Sequence, residues 1–167
     1  MELEVARQVV AVLRGGVLRS RTAILLLAPS VVGREREVAA RLQVDAVTYV
    51  DLLLSSAPAG ARTLGIAVDR EERRLDAVAS CEQGADVVLV ADFDVALARL
   101  TSSERERLWS DLYAHFGHRR RALLLGVPQA ARDLQPCEAA LADWRRGSRV
   151  ASLQAARSPG QGDERTC

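Results

Sequence analysis

The chain has 167 residues, which suits one domain, and 49% of them are hydrophobic, enough to bury a sizeable core. Its formal net charge is +1, with 23 basic and 22 acidic residues, so no electrostatic case arises for nucleic acid or an anionic membrane. Lys and Asn are missing from the sequence, and Arg supplies all the side-chain positive charge other than the two His. An Arg where a motif expects Lys is therefore weaker evidence of selection than usual. Cys81, Cys137 and Cys167 are odd in number and widely spaced, which argues against a disulfide framework or a Cys-based zinc site. The opening residues carry Glu2 and Glu4 instead of a basic stretch, and no apolar run reaches the roughly 18 residues of a membrane span. These features predict a soluble, cytoplasmic protein with no membrane partner.

Leu3 to Leu13 places apolar residues at helical spacing, ended by Gly15 and Gly16, so residues 1–16 form an N-terminal helical segment. Thr22 to Ala28 is a continuous apolar run before Pro29, as in a strand covered on both faces. Arg34 to Leu42 reads as a helix, and Ala46 to Leu52 as a strand. The stretch with Pro58, Gly60 and Gly65 is irregular. A helix runs from Asp69 to about Glu82, and Asp86 to Asp92 is the clearest buried strand. Thr101 and Glu104 have capping-box spacing and open a helix through about His115. Arg121 to Val127 is a strand stopped by Pro128. Glu138 to Arg145 is a short helix, and Ser148 to Leu153 a last short strand. Residues 154–167 are polar, hold Pro and Gly and lack periodicity, which predicts a disordered tail. Alternating strands and helices argue for a three-layer α/β sandwich around a mostly parallel sheet, a single domain over residues 1–153.

Ligands of open parallel sheets bind beyond the carboxyl ends of the strands. The turn after the first strand reads Ala28-Pro29-Ser30-Val31-Val32-Gly33-Arg34-Glu35. Its leading small residue, four-residue gap and Gly33, set between strand and helix, fit a phosphate-binding loop of the Walker A kind. Arg34 then stands at the Lys position and Glu35 at the Ser/Thr position. Arg keeps the charge but replaces a point donor with a planar fork. Glu35 removes the hydroxyl that helps hold Mg²⁺ and sets a carboxylate against the phosphates. Like charges about 4 Å apart repel by roughly 4 kcal/mol at an effective dielectric near 20. Val31 and Val32 stand where glycines would let amides converge on phosphate. Glu35 and Glu37 also suit the first turn of a helix that binds nothing.

The strand ending at Asp92 has the form of a Walker B element, followed by Phe93 and Asp94. Asp92 either contacts Mg²⁺ or caps a turn; Asp94 either orients a water or is solvated. Gln129, after the strand closed by Pro128, is either a polar sensor or the start of the next helix. His115 and His118 form a conceivable metal pair without a third ligand nearby in sequence. Arg132, Arg145, Arg146 and Arg149 are candidates for reaching a neighbouring subunit. Trp109 and Trp144 read as packing residues.

Over Thr22 to Leu153 these landmarks resemble the additional-strand, AAA-like class of P-loop NTPases. In its small size and lack of a following lid domain, the chain looks most like the small P-loop proteins of BREX phage-resistance systems. The resemblance implies strand order 5-1-4-3-2 and a site for ATP and Mg. Ala28, Ser30, Gly33, Arg34, Glu35 and Gln129 would bind the cofactor. Asp92 would hold the metal, and Asp92 and Asp94 would serve catalysis. It implies a subunit of a larger nucleic-acid-directed defence assembly, with other protein subunits as partners and direct nucleic-acid contact left open. The departures at Arg34 and Glu35 predict a non-catalytic or weakly nucleotide-binding protein. Two alternatives stand beside that reading: a slow Mg-dependent ATPase, and a nucleotide-independent adaptor docking a partner on the face around Leu97, Leu100 and Trp109.

Overall fold

The computed structural model describes residues 3–16, 18–57, 65, 67–117 and 119–154. His118, Pro58, Gly60 and the tail predicted beyond Gln154 lie outside the described residues. Five strands form one sheet: β1 (Thr22–Leu27), β2 (Asp45–Thr48), β3 (Val87–Ala91), β4 (Ala122–Pro128) and β5 (Val150–Leu153). Every pairing is parallel, and the order is β2-β3-β4-β1-β5, which is 5-1-4-3-2 seen from the other edge. β1 lies between β4 and β5, and β4 separates β1 from β3.

Period-two alternation decides how the two faces are filled. Ala23, Leu25 and Leu27 of β1 join Leu89 and Leu124 in a core under α1 (Glu4–Arg14) and α2 (Glu35–Leu42). Ile24 and Leu26 join Val88, Val90, Leu123 and Leu125 on the opposite face. That face is covered by α4 (Val68–Ser80), α6 (Ser102–Ser110) and α7 (Glu138–Arg146). The molecule is thus a three-layer α/β sandwich with both sheet faces buried, as its uninterrupted apolar strands require.

Three elements differ from the sequence reading. The stretch expected as a strand over Ala46 to Leu52 ends at Thr48, and residues 49–55 turn into helix α3 (Tyr49–Ser55). The reason is a local cap: the Thr48 hydroxyl accepts the Asp51 amide at 3.1 Å, and Asp51 stands in the first turn. A short helix, α5 (Asp94–Leu97), follows β3. The helix capped by Thr101 and Glu104 forms with its full capping box, but its end widens into a π segment over Asp111–His115.

Three buried arginines each precede a strand and stand at the amino-terminal end of the sheet: Arg21 before β1, Arg121 before β4 and Arg149 before β5. Arg21 donates to the carbonyls of Leu13, Arg119 and Arg120. Arg121 donates to the Ala85 carbonyl at 2.8 Å and pairs with Asp45 at 2.5 Å. Arg149 donates to Thr22 O at 2.7 Å and Tyr113 O at 3.0 Å. Its guanidinium also lies 4.6 Å from the Tyr113 ring centre and 4.3 Å from that of Trp144. Burial pushes this guanidinium down to about 10. Arg149→Met keeps the stem but leaves those carbonyls without their donor. We expect a loss of about 2–4 kcal/mol, read as a lower urea midpoint at unchanged slope.

Candidate functional site

The β1 turn leaves the sheet at its carboxyl end, where Ala28 still donates to Leu153 O at 3.0 Å. Val31 then inserts its side chain into the core under α1 and α2, at 1% exposure. That anchor winds the turn tightly. The amides of Val31 and Val32 both donate back to Ala28 O, and the Arg34 amide donates to Val31 O. Gly33 takes φ +81°, a conformation any side chain would strain. Its amide points to Glu35, whose Oε1 accepts it at 2.9 Å. Glu35 is only 7% exposed. Of the five amides from Ser30 to Arg34 expected to converge on an anion, four are therefore spent inside the protein.

The cation of the loop is also engaged. Arg34 Nε and Nη2 both donate to Glu37 Oε2, at 2.9 and 2.5 Å. Glu37 accepts Arg41 on its other oxygen at 2.7 Å. The hydrogen bond from Arg34 is the main reason the Glu37 carboxyl is held below its ordinary range. The motif positions Arg34 and Glu35 thus serve the protein itself, one in an exposed pair on α2 and the other as acceptor for the Gly33 amide just before the helix.

Asp92 follows β3 in the left-handed region, φ +55°, and its carbonyl accepts the Val95 amide at 3.1 Å. Short polar side chains tolerate this backbone at modest cost. Burial raises the Asp92 carboxyl above its ordinary value, and the charges of Glu35, Asp94 and Asp51 push it the same way. Burial also raises Asp94, again with Glu35 adding to it. The tips of β1 and β3 are therefore at one end of one sheet, as a phosphate site requires. What meets there is carboxylate against carboxylate.

Mg²⁺ and nucleotide, the groups the family resemblance implies, do not fit this arrangement. Among the described residues no three His, Cys, Asp or Glu side chains are grouped to hold a metal ion. Four of the five amides a phosphate would need are committed to Ala28, Val31 and Glu35. Gln129 sits apart: its amide donates to Leu27 O at 2.7 Å, and its side chain lines a cavity shared with α6 and α7.

The other candidates are scattered. Leu97, Leu100 and Trp109, taken in sequence as a docking face, are buried at 0%, 3% and 2% exposure, so that face is core. Arg149 is buried, Arg145 pairs with Glu138 at 3.2 Å, and Arg146 pairs with Asp143. Of that group, only Arg132 has a side chain without a hydrogen bond or ion pair among the described residues. Trp109 and Trp144 pack edge to face at 6.0 Å, as expected of core aromatics.

One buried polar unit had no sequence signal. Glu71, fully buried, accepts the Tyr49 hydroxyl at 2.5 Å and pairs with Arg74. Its burial raises its own carboxyl, and burial together with the Glu71 bond raises the Tyr49 hydroxyl. Tyr49 and Glu71 are 22 positions apart, and only the turn of residues 49–55 into helix brings them together.

Compared with family models, with curated proteins and with solved structures, the chain matches none.

Asp92 and Asp94 are raised when folded, so the folded chain holds their protons more tightly than the unfolded chain. Stability from these groups is then lost as pH rises above about 4, the ordinary Asp range, through their raised values. Glu35→Gln keeps an acceptor for the Gly33 amide and removes the charge. We expect both Asp titrations, followed by carboxyl-carbon NMR, to move down, and the alkaline-side loss of stability to shrink.

Proposed function

We propose that the chain is a degenerate P-loop-like protein that does not turn over nucleotide and acts as a binding subunit of a larger assembly. One observation carries this reading: the Gly33 amide, which a phosphate would take, is capped by the buried carboxylate of Glu35. A terminal phosphate approaching that amide would meet the charges of Glu35, Asp92 and Asp94 together, with Arg34 turned to Glu37. Binding there would require breaking the cap and unwinding the turn held by Val31. Neither cost is offset by new donors, because the turn has no further glycine between Ala28 and Gly33.

The sheet order supports the P-loop-like part of the reading, since β4 stands between the strand bearing the loop and the strand ending in Asp92. Through the resemblance of its motifs, the assembly would be a nucleic-acid-directed one of the phage-defence kind. The chain's part in it would be to present a folded surface to other subunits.

The test is a thermal shift with millimolar ATP and Mg²⁺, paired with a phosphate-release assay. Nucleotide at 100 times its dissociation constant would add about 2.7 kcal/mol of stability. We expect no upward shift and no phosphate above a heat-killed control. Phosphate release that disappears on Asp92→Ala would establish a slow ATPase and overturn the reading.

A further inference from the structure

A second site lies at the same end of the sheet, on the face away from α2. It is a cavity of about 620 Å³ beside the carboxyl ends of β1, β4 and β5, reached by Leu26, Gln129 and Ser152. That volume is within the range of small-molecule pockets, roughly 300–1,000 Å³. No residue of the 28–35 turn and neither Asp92 nor Asp94 lines it.

Its walls are built before any ligand arrives. The connection from β4 to α7 is held by the Trp109 indole N–H, which donates to Leu134 O at 3.0 Å. Gln135 Nε2 donates to the carbonyls of Pro128 and Gln129, at 3.4 and 3.2 Å. This clamped connection carries Arg132 and Asp133 into the wall, and α6 carries Glu106 into it.

The charges sort into two groups. Arg105 is used on the carbonyls of Leu97 and Leu100 and on the Ser102 hydroxyl, and Arg145 on Glu138. The side chains of Arg132, Glu106 and Asp133 make no hydrogen bond or ion pair among the described residues, although Arg132 and Asp133 are neighbours in sequence. The cavity thus offers an unused cation and two unused carboxylates above an apolar floor of Leu26, Trp109 and Leu141. A simple anion would satisfy Arg132 and leave the carboxylates opposed; a simple cation would do the reverse.

We propose that this cavity binds a small zwitterion, a compound with a carboxylate and an ammonium on an apolar body, as in a free aliphatic amino acid. Arg132 receives the carboxylate as a two-pronged donor. Glu106 and Asp133 receive the ammonium, and the apolar body covers the floor. The site is separate from the 28–35 turn and does not depend on how that turn is read. The occupant would also reach the Asp92 turn mechanically: Trp109 packs edge to face on Phe93 at 5.8 Å, and Phe93 stands between Asp92 and Asp94.

The experiment uses the full chain and its two tryptophans. L-leucine is titrated while the two indole ¹H–¹⁵N signals are followed, with leucinamide and 4-methylpentanoate as probes lacking one charge each. We expect a saturable movement of the Trp109 signal larger than that of Trp144, and binding at least about tenfold weaker for either single-charge analogue. Arg132→Ala and Glu106→Gln, both at exposed positions that leave the core intact, should each weaken L-leucine by about tenfold at unchanged melting temperature. No saturable movement by about 10 mM L-leucine, a level past which binding is weaker than about −3 kcal/mol, overturns the proposal. Equal binding of all three probes, or unchanged affinity in both variants, overturns it as well.

Discussion

The insertion of β1 between β4 and β5 is the constraint on which the rest of this molecule depends. Parallel pairing of β1 with both neighbours fixes the register Thr22↔Leu123 on one side and Ile24↔Val150 on the other. A slip of one residue would send Ile24 and Leu26 to the opposite core and Leu25 into theirs. The register is reinforced at the entry end, where Arg149 ties Thr22 to Tyr113 and Arg21 ties the start of β1 to the chain before β4. Each guanidinium is desolvated, so each must fill its donors, and carbonyls at the strand starts are what it finds. The entry end of the sheet is consequently tied together by the three buried arginines, and the loops that leave the strands lie at the exit end.

At that exit end, two side chains decide what the β1 turn is. Val31 is drawn into the core by burial of its apolar surface, an effect of about 1.5–3 kcal/mol for a residue of this size. The turn around it is then short enough for its amides to bond its own carbonyls. Glu35 completes the arrangement, supplying from inside the protein the negative partner that the helix start favours. A hydroxyl at this position could not have carried that charge, and a glycine in place of Val31 would have lost the anchor. Val31 and Glu35 therefore act together: one tightens the backbone, the other takes the Gly33 amide.

Much of the fold was legible because it rests on local, periodic signals. The runs Thr22–Leu27 and Val87–Ala91 are apolar at every position, and Thr101 with Glu104 announces its helix by a bond between them. The β2 region misled for a physical reason. Tyr49, Val50 and the leucines after them suit a strand by type, yet Thr48 and Asp51 form a cap whose geometry outweighs that preference. The π segment at Asp111–His115 was equally hidden, since no residue type marks a five-residue hydrogen bond. In the site, the placement of the 28–35 turn near Asp92 was readable from strand order. The partners were not: Arg34 turning to Glu37, and Glu35 turning back to Gly33, are choices between nearby acceptors that spacing alone does not rank. Leu97, Leu100 and Trp109 looked like a free helix face because the partners that enclose Trp109, namely Phe93, Trp144 and the β4–α7 connection at Leu134, are distant in sequence.

The connections after β1 and β4 run to opposite faces, one into α2 and the other towards α7. Adjacent strands whose exits diverge leave a crevice between them, which is where ligands of open α/β sheets collect. Here the crevice is divided. On the α2 side the protein fills it with Val31 and Glu35; on the α7 side it leaves a cavity whose walls are held by Trp109 and Gln135. A site closed by the protein's own groups has little affinity left for a ligand, whereas a preformed one with unmatched charges keeps it. The asymmetry between the two halves therefore places recognition on the α7 side. The Phe93–Trp109 contact gives that side a mechanical reach to the carboxylates at the tip of β3, which the β1 turn lacks the free donors to address.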